Sequence, residues 1–241
     1  MNPLMQKYIK TLSVSLCLLV VALSGCDHTE DPGPLQESTE TYSLVDFDRL
    51  EMGSAFNIRV EQANTFSIEI RGDRRNLNDL DVFKSGTTLI VKFDDNANRR
   101  HDTYITITMP KLKEVNFSGA TESRIIGFES DEDLNIYLSG ASVSQLDAGY
   151  RKVNLVLSGA SSLNLFGLGD ELKAEVSGAS VLSAFDYPVG KADVNVSGAS
   201  SGKVTVSDEL NAVAGGASSI LYRGNPSVNS NVSGASSIQK D

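Results

Sequence analysis

A four-residue motif recurs seven times over the second half of the chain, and its second residue is always glycine. The motif reads Ser-Gly-Ala-Ser in most copies. Successive glycines are 21, 19, 19, 20, 18 and 18 residues apart. A period near 20 residues is typical of a solenoid, in which each repeat forms one coil that stacks on its neighbours. The repeated glycines are Gly119, Gly140, Gly159, Gly178, Gly198, Gly216 and Gly234.

The residues around each motif indicate what the coils are made of. Leu134, Ile136 and Leu138 occupy alternate positions before the second motif, and later repeats follow the same pattern. A weaker alternation follows the motifs, as at Leu163 and Leu165. Alternation of this kind predicts strands with one buried face. Since parallel crossovers are strongly biased to the right hand, we expect an all-β, right-handed parallel β-helix with coils of 18–21 residues.

The motif residues have predicted roles at a corner of each coil. Glycine provides a positive φ angle or allows a close backbone approach. Alanine is expected to fit a tight inward corner, and the flanking serines to hydrogen-bond the turn backbone. The last serine of each motif is also a candidate for a surface-binding ladder, although an ordinary wet surface explains it equally simply. These serines are Ser142, Ser161, Ser180, Ser200, Ser218 and Ser236.

The first 25 residues have the features of a lipoprotein signal peptide. Lys7 and Lys10 precede an apolar stretch over residues 12–23, which is short for a stable membrane span. The sequence Leu-Ser-Gly then leads into Cys26, as in a bacterial lipobox. We therefore predict cleavage before Cys26 and lipidation of that residue, which would anchor the protein in a membrane. The alternative is a plain secretory signal followed by an incidental cysteine.

The remaining chain divides into three predicted sections. Residues 26–43 are acidic and poor in apolar residues, which predicts a flexible tether. Residues 44–110 alternate as strands do but show no repeat, so they form either irregular first coils or a separate β cap. Residues 111–241 form the regular solenoid. Only residues 237–241 follow the last motif, and this end is either covered by its charged tail or paired with another molecule.

Charge and composition argue against several functional classes. Cleavage after residue 25 leaves 19 basic and 31 acidic residues, a net charge of −12, which argues against nucleic-acid binding. Neither histidine, His28 or His101, lies in a metal-binding context, so we predict no metal and no cofactor. We also predict no catalytic residues, because a serine nucleophile needs a nearby base that the repeated serines lack.

Acidic residues recur just before the buried strands, as in the pairs at 170–171 and 208–209. Some β-helical enzymes cut polysaccharides with clustered acids. The recurrence is more simply explained by a solvated line of turns. A polysaccharide-active enzyme therefore remains an alternative, and it would require an acidic cleft.

The repeat and the strands before it resemble a known family, the "putative auto-transporter adhesin, head GIN domain". The resemblance covers residues 44–241. It rests on the serine-glycine ladder together with FNIRVEQ at 56–62, LIVKF at 89–93, ITITMP at 105–110 and PKLKEV at 110–115. This domain of unknown function is common in lipoproteins of the Bacteroidetes. The resemblance implies a β-helical fold and an envelope location, and it brings no catalytic residues.

The sequence thus predicts a lipid-anchored outer-membrane protein whose solenoid head is a non-enzymatic module for adhesion or surface interaction. A glycan or a surface protein is the expected partner, and the membrane is contacted through the lipid on Cys26. The alternatives are the polysaccharide-active enzyme and a structural or stress lipoprotein that faces the periplasm. The fold alone does not choose among them.

Overall fold

The computed structural model describes residues 33–94 and 99–241. The chain divides into two compact units, Met1–Pro34 and Leu35–Asp241. The predicted signal peptide over 1–25, the predicted lipidation site Cys26 and residues 27–32 of the predicted tether lie outside the described residues. The buried core and the strand pairings described below belong to the second unit.

Within its described residues, 35–94 and 99–241, the second unit is a single sheet of 16 strands with one short helix. The elements in chain order are β1 (Glu37–Tyr42), β2 (Arg49–Met52), β3 (Phe56–Gln62), β4 (Ser67–Asp73), α1 (Arg74–Asn78), β5 (Leu80–Ser85), β6 (Thr88–Phe93), β7 (Thr103–Met109), β8 (Glu114–Phe117), β9 (Glu122–Leu138), β10 (Val143–Leu157), β11 (Ser162–Val176), β12 (Val181–Val196), β13 (Ser201–Ala214), β14 (Ser219–Arg223), β15 (Ser227–Val232) and β16 (Ser237–Lys240).

The long strands β9 to β13 pair in parallel, each with the next. Equivalent positions of successive coils are direct partners, so the apolar residues form continuous buried columns. One column contains Leu134, Val153, Leu172, Ala192 and Leu210, and each of these is at most 3% exposed. This stacking confirms the predicted β-solenoid, which has about seven turns.

At each motif glycine, the backbone has a positive φ and an added side chain would clash with the preceding coil. All seven have φ between 72° and 80°. A Cβ on Gly159 would lie 2.5 Å from the carbonyl oxygen of Gly140, and one on Gly178 would lie 2.4 Å from that of Gly159. The following alanine donates its N–H to the same carbonyl, as Ala160 does to Gly140 at 2.7 Å. Both predicted reasons for glycine, positive φ and close approach, therefore apply.

The alanine and the last serine of the motif differ from their predicted placement. The motif alanines, such as Ala160, are exposed rather than turned inward. The serines predicted as a surface-binding ladder are buried instead: Ser142, Ser161, Ser180, Ser200 and Ser218 are at most 4% exposed, and Ser236 is partly buried. The positive φ of the glycine turns the alanine outward, and the next residue points into the solenoid.

Hydrogen bonds inside the corner satisfy these buried hydroxyl groups. Ser161 Oγ donates to the carbonyl of Ser158 at 2.7 Å. The Ser161 N–H donates to Ser180 Oγ at 3.3 Å, and the Ser180 N–H donates to Ser200 Oγ at 3.1 Å. The serines therefore link successive coils from within, and they cannot form a binding surface.

The first two coils are stacked out of chain order. Strands β2 and β3 lie between β6 and β7 on one side and β8 and β9 on the other, and all these pairs are parallel. The coil over residues 88–109 therefore lies outermost in the stack. The coil over residues 49–62 lies between it and the coil that begins at β8. Met52 is the register partner of Phe117, so Ser54 takes the place of a motif glycine, with φ of 75°.

Antiparallel strands close this end of the sheet. Strand β4 pairs with β7, β1 pairs with β4, and β5 pairs with β6, all antiparallel. Residues 44–110 thus contain both of the predicted alternatives, two coils and cap strands.

Strand β1 corrects the tether prediction, because residues 37–42 are paired along their whole length. Its polar sequence did not reveal it, since it is an edge strand whose side chains alternate between exposed and partly buried.

Candidate functional site

A groove of about 540 Å³ lies on the outer face of the sheet near its capped end. Two rows of outward side chains cross strands β4, β7, β3, β9 and β10. Each row runs perpendicular to the strands because register partners stand side by side on neighbouring strands. The first row contains Arg71, Tyr104, Asn57, Glu122 and Val143, and the second contains Glu69, Thr106, Arg59, Arg124, Gln145 and, on β11, Asn164.

Two arginines are direct neighbours in the middle of the second row. Arg59 and Arg124 are register partners, which places their backbones roughly 4.8 Å apart. Arg59 forms an ion pair with Glu61. Arg124 is exposed and, within the part of the chain that the structure describes, has no carboxylate at ion-pair distance. Like charges on facing positions are unfavourable, so an anion placed between the two guanidinium groups would be stabilising.

An aromatic ring and several amides surround these arginines. Tyr104 is 40% exposed. The guanidinium carbon of Arg71 lies 4.7 Å from the centre of that ring, and Arg71 also pairs with Glu37 at 2.6 Å. The amide side chains of Asn57, Gln145 and Asn164 line the same groove. The carboxylates of Glu69 and Glu122 also line the groove. A groove with a flat ring, amide groups and a guanidinium pair can still bind a polar ligand whose carboxylate lies at the arginines.

Of the acidic residues that suggested an enzyme, Glu171 and Glu209 lie in a different row of side chains, whereas Asp170 lines a separate open groove with Glu129, Asp131 and Arg151. Asp133, Lys152, Glu171, Lys191 and Glu209 are successive register partners, so negative and positive side chains alternate. Lys152 lies 3.3 Å from Glu171, and Lys191 lies 3.8 Å from Glu209. The row is a ladder of ion pairs rather than an acidic cleft.

Two neighbouring carboxylates, Asp81 and Asp94, lie at the cap. Hydrogen bonding to Asp81 and repulsion by its charge raise the pKa of Asp94 above its ordinary value. Lys92 lies 3.8 Å from Asp81. Asp94 is exposed, and neither carboxylate lines the groove. The pair therefore lacks the enclosed cleft in which a general acid works.

Residues 33–94 and 99–241 contain neither a metal-binding cluster nor a membrane-spanning helix. No group of three or more His, Cys, Asp or Glu side chains in these ranges is arranged to hold a metal ion. No helix in them is long and apolar enough to cross a membrane.

The family described as "Putative auto-transporter adhesin, head GIN domain" matches residues 46–226. The chain belongs to this family. The predicted resemblance is thereby confirmed, and the match spans both the out-of-order coils and most of the regular ladder of the head GIN domain. Membership points to a non-enzymatic, adhesin-like β-solenoid of the cell envelope.

Several solved structures share the fold of this head GIN domain. A protein described as a putative adhesin of Bacteroides fragilis has a TM-score of 0.73 and 20% identity, covering 86% of this chain and 97% of its own. A protein of Parabacteroides distasonis described as a putative lipid binding protein has a TM-score of 0.69 and 18% identity, covering 85% and 96%. A putative adhesin of Parabacteroides merdae has a TM-score of 0.65 and 19% identity, covering 85% and 96%. No curated protein matches the chain.

Sequence reasoning did not find the groove, although a signal for it exists. Arg124 lies five residues after Gly119, and Arg59 lies five residues after Ser54. Recognising Ser54 as a corner residue would have placed the two arginines side by side. The substitution of serine for glycine concealed that corner.

Proposed function

We propose that this head GIN domain is a lipid-anchored, non-enzymatic adhesion module of the outer membrane, and that its groove binds an acidic glycan. The neighbouring Arg59 and Arg124, with no ion-pair partner for Arg124 among the described residues, carry the proposal. A uronic or sialic acid carboxylate would bind between the guanidinium groups. Tyr104 would stack on a sugar ring, and the amides would bond its hydroxyl groups.

The ligand class is tested by calorimetry with oligosaccharides that do or do not contain uronic acid. Arg124→Gln is expected to weaken binding of the acidic oligosaccharide by about tenfold or more, the scale of a charge-assisted bond. Lys203→Gln is the matched control, because Lys203 follows Gln145 and Asn164 in the same row but does not line the groove. Equal losses of affinity in Arg124→Gln and Lys203→Gln, or no preference of wild type for the acidic oligosaccharide, would contradict the assignment.

The anchor is tested separately by Cys26→Ser. The expected result is release of the protein from the membrane fraction and loss of incorporated fatty acid. Retention in the membrane with an unmodified cysteine would instead favour the plain secretory signal.

Exposure on the cell surface is tested by treating intact cells with an external protease. Loss of the head domain is the result expected of an adhesin. Survival of the head until the outer membrane is opened would exclude adhesion and favour a role in the periplasm.

A further inference from the structure

The groove that contains Arg59 and Arg124 is much longer than it is wide. Its lining residues come from the adjacent strands β4, β7, β3, β9, β10 and β11. Neighbouring strands are about 4.8 Å apart, so the groove extends over roughly 24 Å across the strands. Its width is that of two outward rows, because alternate residues along one strand are roughly 7 Å apart. These proportions fit a single linear chain that lies across the strands, rather than a compact ligand.

The spacing of the strands matches the repeat of a sugar chain. A sugar unit in an extended chain advances by roughly 5 Å, about the distance between two strands. A chain that lies across the strands therefore places successive sugar units over successive strands, and the groove has room for about five of them. Each position along the groove then has its own set of side chains.

The cationic groups of the groove are concentrated at one position. Arg59 and Arg124 stand on the adjacent strands β3 and β9. The third lining arginine, Arg71, lies on β4, which β7 separates from β3. It is engaged by Glu37 at 2.6 Å and by the Tyr104 ring at 4.7 Å. The groove thus provides one guanidinium pair, and a single acidic sugar can be bound there.

The positions on either side of the arginine pair are neutral or acidic. In the direction of β11, Gln145 and Asn164 present amide groups. In the direction of the cap, Thr106 stands between Arg59 and the exposed Glu69. Glu122, which is also exposed, lies two residues before Arg124 on the same strand. A second carboxylate next to the first would have to share the same two arginines and would be repelled by Glu69 or Glu122.

We propose that the groove binds a linear polysaccharide in which an acidic sugar is flanked by neutral sugars. This inference rests on the proposed binding of an acidic glycan and specifies where the acid lies in the chain. The carboxylate of the acidic sugar lies between Arg59 and Arg124. Neutral sugars bind over Tyr104 on one side and over Gln145 and Asn164 on the other. A chain in which every sugar is acidic binds less tightly, although it carries more charge.

The test compares two linear oligosaccharides of equal length by calorimetry with the full chain. One is prepared from deacylated gellan, in which one glucuronic acid alternates with three neutral sugars. The other is oligogalacturonate, in which every sugar is acidic. The gellan oligosaccharide is expected to bind about tenfold or more tightly than oligogalacturonate. Attraction to the arginines by charge alone predicts the opposite order. Gellan fragments of six sugars should also bind about tenfold more tightly than fragments of two, which contact only part of the groove.

Glu122→Gln tests the repulsion directly. Removal of this carboxylate should raise the affinity for oligogalacturonate several-fold more than the affinity for the gellan oligosaccharide. Glu129→Gln is the matched control, because Glu129 lies on the same strand but lines a different groove. It should change neither affinity.

The outcomes separate this inference from the assignment on which it rests. If oligogalacturonate binds at least as tightly as the gellan oligosaccharide, and Arg124→Gln weakens both, the inference is overturned while the binding of an acidic glycan stands. Equal affinity for gellan fragments of two and six sugars would also overturn it. If neither acidic oligosaccharide binds, both the inference and the groove assignment are wrong.

Discussion

The motif glycines are held by two constraints that can be separated by substitution. Gly159→Ala combines an unfavourable positive φ of 74° with a Cβ only 2.5 Å from a carbonyl oxygen. Gly86→Ala has a similar φ of 61°, but nothing lies within 4 Å of the added Cβ. We expect Gly86→Ala to lower the free energy of unfolding by about 1–2 kcal/mol, the cost of left-handed backbone. Gly159→Ala should cost roughly 2–5 kcal/mol because overpacking adds to that cost.

Urea unfolding of both variants measures this difference. If the two alanines destabilise equally, close stacking of the corners does not constrain the motif, and φ alone explains its glycines.

The buried motif serines are expected to stabilise the fold through hydrogen bonds between coils. Ser180→Ala leaves the Ser161 N–H without its hydroxyl acceptor inside the corner. The unfolding free energy should fall by roughly 1–3 kcal/mol, the cost of an unsatisfied buried donor. Ser207→Ala is the control, since Ser207 is exposed and bonds only its neighbour Asp208. An unchanged stability of Ser180→Ala, measured by urea unfolding, would show that the corner packs equally well without the hydroxyl.

At the scale of single elements, Asp73 holds three parts of the cap together: the segment before β1, the end of β4 and the start of α1. Its carboxylate accepts from the Arg75 side chain at 2.6 and 2.7 Å, and from the backbone N–H groups of Arg75 at 2.9 Å and Gln36 at 3.0 Å. The Arg75 side chain, with these N–H groups, holds the pKa of this buried carboxyl well below its usual range. Asp73 thereby caps α1 and holds the segment before β1 against β4.

This contact predicts a dependence of stability on pH. Because the pKa of Asp73 is lower in the folded state, its contribution is complete above a pH of about 4 and is lost as the pH falls further. Asp73→Asn should therefore be less stable than wild type at neutral pH, and the difference should shrink in acid. Thermal unfolding at several pH values measures this, with the exposed Asp208→Asn as control. A gap between wild type and Asp73→Asn that is constant with pH would refute the assignment.

Strands whose apolar residues alternate could be predicted from sequence, with or without the repeat, and a strand without an apolar face could not. The long strands follow from alternation such as Leu134, Ile136 and Leu138, and the corners from glycine spacing. Strand β1 could not be predicted, because an exposed edge strand stabilised by backbone pairing has no apolar face to reveal it. The inward or outward placement of Ala160 and Ser161 also escaped prediction, since it depends on the φ of the preceding glycine.

At the scale of the whole molecule, identical stacking of coils predicts that a complete coil can be removed. Deleting residues 198–215 joins Ser197 to Gly216 and leaves one corner fewer in the same register. The shortened protein should fold with a lower unfolding temperature, because fewer coils bury less apolar surface. Deleting residues 198–206 alone should prevent folding, since it shifts the inward and outward faces. Circular dichroism and thermal unfolding of both deletion variants measure this difference. Equal loss of structure in both would contradict the description of the coils as units that can be removed whole.

The out-of-order coils have a consequence for how the protein is made. Strands β2 and β3 come early in the chain, but their neighbours on both sides, β6 to β9, come later. The first coil therefore cannot form its strand pairs until about the middle of the chain is available. The later coils need only the coil before them, so they can add one at a time in the order of synthesis. The slow step of folding is thus expected in the first half of the chain, where contacts are distant in sequence.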